Sequence, residues 1–363
     1  MGKLSTPIRI GRLDLHHRVV MAPMTRNRAD SNNVPLDIVR EYYAQRASVP
    51  GTLLISEGTF ITQRAGGMAH VPGIWSNDQI NQWKTITDAV HEKGSFIFCQ
   101  LWALGRAANA EILARTGDQV ISSSDTPLEK PGPTPKPLDE VEIRQHINDY
   151  AIAAKNAIAA GFDGVEIHGA NGYLCDQFLQ DTCNSRTDAW GGSVENRSRF
   201  GVEVAKAVAS AVGANRTGYR ISPWSRFQGM RMEDPEPQFT HLAQHLDQLG
   251  LAYLHVVEPR ISGGMTVDAA AEDHGFLFEA FRSGAIILAG GFTRESAENA
   301  LDNADSDRVA IGFGRHFLAN PDLPFRIFQS RVLNQYERAT FYIPESPVGF
   351  ADYPFSVDFA LKG

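Results

Sequence analysis

Cysteine is scarce in this sequence: Cys99, Cys175 and Cys183 are the only three among 363 residues, and no two form a C-x-x-C pair. So sparse and odd a set excludes a disulfide framework and a zinc ribbon, and it fits a reducing compartment. A surplus of positive charge is also missing. With 34 Lys+Arg against 42 Asp+Glu the net charge is −8, which argues against nucleic acid and against an anionic membrane surface as partners. No apolar run is long enough to span a bilayer, and the opening MGKLSTPIRI has no apolar segment of the kind a secretory signal needs. Met1-Gly2 with Thr6 meets the loose myristoylation pattern. A single acyl chain holds a protein to a membrane only marginally, so a cytoplasmic location is expected. No G-x-G-x-x-G turn marks a separate dinucleotide domain, and no metal constellation is visible, so no bound metal is expected.

What the chain does have is regular alternation. Apolar, β-rich runs recur at VVMAPM (19–24), LLISEG (53–58), FIFCQLW (96–102), GVEIHG (164–169), GYRISP (218–223), AYLHVV (252–257), AIILAG (285–290) and VAIGFG (309–314). They are continuously apolar, the pattern of strands buried on both faces. Helical stretches separate them. One runs from an N-cap serine, Ser76, to Gly94, another from Asp139 to Gly161, and a third covers 194–213. Shorter ones fall at about 237–249, 271–283, 293–303 and 321–330. Eight β-then-α units predict an α/β fold, a closed (β/α)8 TIM barrel forming a single domain over 1–363, with a doubly wound open sheet as the rival. IRIGRLDLH (8–16) reads as an N-terminal hairpin that closes the barrel floor. Residues 103–138, after the third strand, include PLEKPGPTPKP and show no clear helix; a loop of that length beside a barrel mouth is a candidate lid.

In such a barrel, polar residues at the C-terminal ends of strands are the candidates for chemistry. Those ends carry Pro23, Met24 and Thr25, then Glu57 and Gly58, Gln100 and Trp102, and His168 followed by Asn171 and Tyr173. Arg220, Gly290, Gly291, Gly312, Gly314 and Arg315 complete the ring. The glycines after the last two strands expose backbone N–H groups where barrels commonly hold phosphate, and Arg315 adds a fork that matches it. The alternative there is a pair of tight turns and an arginine paired with a surface acid. A phosphate at one rim leaves an organic body across the mouth, where Arg220 would stabilise negative charge developing on it, unless a buried carboxylate already claims the guanidinium. His168 and Asn171 can both donate to one carbonyl oxygen, and Tyr173, neutral at pH 7, is a competent proton donor. Singly, His168 is as readily a satisfied core histidine and Tyr173 a packing residue; together, directly after a strand, they point to catalysis. Glu166, mid-strand, is expected to pair inside the barrel, and Cys175 and Cys183 lack a neighbouring base.

The motifs VVMAPMTR (19–26), EYYAQRAS (41–48), LLISEGTFI (53–61), FCQLWALGR (98–106) and GFDGVEIHGANGYLCDQFL (161–179) resemble the old yellow enzyme family. So do R-T-D-x-W-G-G-S-x-x-N-R (186–197), the AGGF and GFGR turns, and FLANPDLPFR (317–326), so that the resemblance covers nearly the whole chain in order. HVPGIW (70–75) and DYPFS (352–356) look like the fungal branch, which includes reductases of ergot-alkaloid and related secondary metabolism. The resemblance implies an FMN-dependent ene-reductase, with NADPH or NADH as hydride donor and an α,β-unsaturated aldehyde or ketone (an enal or enone) as substrate. It implies that Thr25 bonds the flavin C4 carbonyl, with Pro23, Met24, Gly58 and Gln100 around the ring. Arg220 would face N1 and O2, and Gly290, Gly291, Gly314 and Arg315 would hold the phosphate. His168 and Asn171 would bind the substrate carbonyl, Tyr173 would protonate Cα after hydride reaches Cβ, and Trp102, Phe227 and Tyr342 would shape the substrate pocket. Trp190 departs from the family, many members of which have tyrosine there. Rival readings are a redox-neutral isomerase or cyclase, in which the flavin lends and recovers a hydride, and a non-catalytic flavin- or phosphosugar-binding barrel. A monomer or homodimer is expected.

Overall fold

The computed structural model describes residues 2–263, 265–267, 272–304 and 306–361. Eight parallel strands form the ring: β1 (Val19–Met21), β2 (Leu53–Ile55), β3 (Phe96–Trp102), β4 (Gly164–His168), β5 (Thr217–Ile221), β6 (Tyr253–Val257), β7 (Ala285–Ala289) and β8 (Val309–Phe313). Each pairs with its sequence neighbours, and β8 returns to β1 through Ile311↔Val19, which closes the barrel. β4, β6, β7 and β8 are buried at every position. Helices cover the outside of the ring, which is why β7 and β8 read as unbroken apolar runs, while β4 and β6 turn Glu166, His168 and His255 into the barrel interior.

The outer helices are α1 (Asp37–Arg46), α2 (Asn77–His91), α3 (Glu140–Ala159), α4 (Val194–Val212), α5 (Glu236–Gln248), α6 (Gly275–Ala280), α7 (Arg294–Asn303) and α8 (Leu323–Phe328). End chemistry fixes their bounds. Ser76 Oγ accepts from the Gln79 N–H at 3.3 Å, and the Gln79 side chain accepts from the Ser76 N–H at 3.1 Å, a reciprocal cap on α2. Asp139 and Glu142 repeat the device on α3. α4 stops at Gly213, whose φ of 101° a side chain would resist.

Three expectations change. The mixed segment DIVREYYAQR is the helix α1, which the apolar period does not reveal. The 271–283 helix is cut to Gly275–Ala280, and residue 271 lies outside the described residues. Asp247 Oδ1 accepts from the Arg282 and Ser283 N–H groups at 2.7 and 2.6 Å, which draws that backbone out of the helix. Residues 103–138 hold a single-turn helix, Ala110–Ala114, capped by Asn109; one turn is too short to display a period.

Ile8–Ile10 pairs antiparallel with Leu13–Leu15, forming the expected hairpin. Ile8, Ile10, Leu13 and Leu15 pack with Val20, Leu53, Phe98, Tyr253, Ile287 and Ala310 from the strands, so an apolar plug seals one end of the barrel. At the other end, irregular chain beyond α8 crosses beside the mouth. Three buried arginines from the start of the chain fasten it. Arg26 donates to the Phe341 and Gly349 carbonyls at 3.1 and 2.6 Å. Arg28 donates to the carbonyls of Phe341, Ser346 and Val348 at 2.9, 2.9 and 3.1 Å. Arg46 reaches Leu318 O and Phe350 O. Tyr42 stacks on Phe350 with ring centroids 4.1 Å apart. We refer to residues 336–353 as the strap.

Candidate active site

A cavity of about 660 Å³ opens at the C-terminal ends of the strands. Pro23, Met24 and Thr25 enter it from β1, Asn171 and Tyr173 from beyond β4, Arg220 from β5, and Gly290, Gly291, Gly314 and Arg315 from beyond β7 and β8. Phe227 and Tyr342 also line it, as the sequence suggests. Gly58, Gln100, Trp102 and His168 are not on its surface. The Trp102 and His168 rings stand against Tyr173, Gly58 abuts the Trp102 ring, and Gln100 turns its amide to Glu166. The segment 103–138, expected as a lid, supplies no lining residue. Its Ser122 and Ser123 hydroxyls donate to the Gln177 side chain and carbonyl at 2.9 and 2.7 Å, which holds it against the flank of the site. The walls come instead from Ile261, Gly263, Met265 and Thr266 after β6, and from Tyr336, Arg338 and Phe341 of the strap.

One end of the cavity suits a phosphate. Gly291 has φ 63°, and a Cβ there would sit 3.7 Å from Arg315 Nη2. Arg315 donates to Thr266 Oγ1 at 3.0 Å and lies over the Tyr336 ring. Among the described residues it pairs with no carboxylate, so its charge is available to an anion. Arg338 lines the same end.

Midway stands Arg220, in register with His168 on β4 and His255 on β6. Its Nε is buried and has no hydrogen-bond partner among the described residues. A buried unsatisfied donor facing a cavity marks a place where a ligand acceptor belongs. Burial holds the guanidinium below its ordinary pKa, with Glu166 as the opposing influence. An elongated body with a phosphate at the glycine end and an electron-rich edge at Arg220 fits this arrangement, and FMN has that form.

Beyond Arg220 lies the trio. The His168 and Tyr173 ring centroids are 4.9 Å apart, and Trp102 meets Tyr173 edge-on at 4.8 Å. The Ala170 N–H points at His168 Nδ1 at 3.4 Å, which leaves the ring proton on Nε2, ready to donate. Burial, with Arg220 and His255 nearby, drives the His168 pKa well below its ordinary value, so the ring is neutral. Burial also pushes the Tyr173 phenol up to about 12, with Tyr342 adding to the rise.

The turn carrying the trio is built by residues that sequence reasoning did not single out. Asn171 and Gly172 are both left-handed, with φ 57° and 74°. Ser222 Oγ accepts from the Asn171 N–H, and Asp176 Oδ2 accepts from the Gly172 N–H, each at 2.8 Å. Gln177 Nε2 donates to the Gly172 carbonyl at 2.8 Å. Asp176 is wholly buried, and burial lifts its carboxyl to about 7 against the bonds from Gln180 and Gly172. Its sequence signal is a lone charged residue amid L-C-D-Q-F-L, which must find a partner to be buried.

Comparison with known proteins agrees with this geometry. Residues 3–334 match the model of the NADH:flavin oxidoreductase / NADH oxidase family. The chain is 57% identical over 362 residues to a chanoclavine-I aldehyde reductase of Penicillium roqueforti, covering 99% of this chain and 98% of that protein. It is 52% identical over 365 residues to an NADP-dependent oxidoreductase of Aspergillus flavus, covering 98% and 97%. The crystal structure of old yellow enzyme from Pichia sp. superposes with a TM-score of 0.91 at 36% identity, covering 98% of this chain and 94% of that one. The chain belongs to the NADH:flavin oxidoreductase / NADH oxidase family, with FMN as its cofactor and a nicotinamide nucleotide as its reductant.

Proposed function

We propose that this protein reduces the activated C=C bond of an α,β-unsaturated aldehyde or ketone at the expense of NADPH. The observation that carries the reading is a cavity lined by Asn171, Tyr173 and Arg220, with the His168 ring packed against Tyr173 at 4.9 Å and Gly290, Gly291, Gly314 and Arg315 at the far end. FMN, when bound, would supply the hydride chemistry. The residues of the chain do the rest. Thr25, Pro23 and Met24 would form one wall for the ring, and Arg220 would meet its electron-rich edge. Gly290, Gly291, Gly314 and Arg315 would hold the phosphate.

We assign the substrate oxygen to the Asn171 amide, which lines the cavity, and to His168 Nε2–H behind the lining beside Tyr173; together they would stabilise the negative charge that collects there as hydride arrives. A neutral histidine suits this role, since it donates without surrendering its proton. Tyr173 delivers its phenolic proton to the α-carbon and regains one from solvent, so the net addition is two hydrogens. The mouth favours an apolar substrate body. Phe227, Met265, Val267, Tyr342 and Ile343 are all exposed apolar residues, and three of them line the cavity. The relative designated a chanoclavine-I aldehyde reductase supports an aldehyde as the activating group, and the NADP-dependent relative supports NADPH over NADH.

No described helix is long and apolar enough to cross a membrane. All three cysteines are free thiols, which supports a reducing compartment such as the cytoplasm.

The test is to incubate the purified yellow protein with NADPH and a panel of enals and enones, and to weigh the products. A gain of two hydrogens is expected. An isomeric product of unchanged mass would replace this reading by a redox-neutral one, in which hydride returns to the cofactor.

A further inference from the structure

Beneath the cavity the barrel holds a carboxylate that the mechanism above does not use. Glu166 on β4 is wholly buried. Its Oε1 accepts from Gln100 Nε2 at 2.8 Å, and its Oε2 accepts from Tyr253 Oη at 3.0 Å and His255 Nδ1 at 2.8 Å. The registers Gln100↔Glu166, Glu166↔Gly218 and Gly218↔Tyr253 place Gln100, Glu166 and Tyr253 in one interior layer, with His255 one layer nearer the mouth, level with Arg220. Gly218 is what lets the tyrosine cross that layer, because a Cβ there would lie 2.2 Å from the Tyr253 ring.

All three donors are neutral. Burial and Arg220 hold the His255 pKa below its ordinary value, against the pull of Glu166. Burial pushes the Glu166 carboxyl up, but His255, Arg220 and Gln100 outweigh it and leave the group ionised. Its countercharge is Arg220, one layer nearer the mouth. The two form no ion pair within 4.0 Å, so the fold keeps opposite charges near each other and unjoined. Burying a carboxylate is costly, and residues of four neighbouring strands cooperate to keep this one.

We propose that Glu166 is a positioning residue that governs how much of the Arg220 charge a bound flavin feels, and thereby sets the reduction potential of the cofactor. The inference rests on the placement of Arg220 at the electron-rich edge of the ring. That ring gains negative charge on reduction. Arg220 favours the reduced form, and Glu166, through the same low-dielectric core, opposes it.

The experiment measures the FMN midpoint potential of the purified holoprotein at pH 8, together with the dissociation constant of oxidised FMN. Glu166→Gln keeps the shape and the hydrogen bonds, since the Gln100 amide can turn to accept. It is expected to raise the preference for reduced over oxidised FMN about tenfold, a potential about 30 mV more positive. Tyr253→Phe removes a donor but keeps the charge, and leaves the potential near that of the wild type. Arg220→Gln shifts the potential the other way. An unmoved potential in Glu166→Gln, beside a clear shift in Arg220→Gln, overturns the proposal while leaving the site assignment standing. An equal shift in Tyr253→Phe overturns it too, by making packing the cause. No shift in Arg220→Gln removes the guanidinium from the ring and the proposal with it.

Discussion

Replacing Tyr173 by phenylalanine deletes one oxygen and keeps the ring that packs edge-on against Trp102 at 4.8 Å and His168 at 4.9 Å. The Gln228 amide beside the hydroxyl loses its partner, a cost of about 1 kcal/mol that a folded barrel tolerates. The catalytic cost is far larger. Loss of a placed proton donor slows the step it serves by about 10²–10⁴, or roughly 3–5 kcal/mol of barrel-bound transition-state stabilisation. Stopped-flow absorbance separates the two halves of the cycle. Bleaching of the flavin by NADPH needs no proton from Tyr173 and is expected to keep its wild-type rate, whereas reoxidation by an enal slows by the factor above. The pH dependence adds a second check. Tyr173, raised to about 12, keeps its proton, and His168, held well below 6.5, stays a neutral imidazole throughout the neutral range. Wild-type reoxidation is therefore flat over about pH 6 to 9 as far as these two groups are concerned. Equal slowing of both half-reactions, or of neither, would refute the assignment of Tyr173 as proton donor.

Other expectations follow from the surroundings of the site. Asp176 is raised from an ordinary 3.8 to about 7 by burial; its contribution to stability is present below the ordinary value and is lost as pH rises through about 7. Asp176→Asn should therefore raise the melting temperature more at pH 8 than at pH 5, and equal gains at both would contradict the buried-carboxyl account. Arg28→Ala strips the strap of bonds to Phe341, Ser346 and Val348. At about 1.5–3 kcal/mol for a charged bond, it should lose at least about 3 kcal/mol in urea unfolding and expose the strap to limited proteolysis. Arg315→Ala should weaken FMN binding by about 10–100-fold in a fluorescence titration, the worth of one charge-assisted contact.

The barrel is legible in the sequence because strands such as β7 and β8 are buried on both faces and so carry no polar alternation. Capping chemistry is equally local: Ser76–Gln79 and Asp139–Glu142 announce α2 and α3 within four residues each. Pro23, Met24, Thr25, Asn171, Tyr173, Arg220 and Arg315 reach one cavity because the fold places the strand ends on one rim, whereas Gly58, Gln100, Trp102 and His168 stand behind its lining. What stays hidden is whatever depends on distant partners. The strap has no periodicity, and its order comes from Arg26 and Arg28, more than 310 positions away, binding carbonyls that every residue possesses. The Glu166 layer is hidden for the same reason. Mid-strand acids show that a partner must exist, but only the strand registers reveal Tyr253 and His255 as the partners. The flank position of 103–138 rests on Gln177, a residue with no local mark.

The anchoring arginines also order events in time. Arg26, Arg28 and Arg46 are translated well before the carbonyls they grasp, which run from Leu318 to Phe350. A nascent chain thus carries three cations whose acceptors emerge more than 270 positions later. Until the strap arrives, the pocket lacks the wall that Tyr336, Arg338 and Phe341 supply.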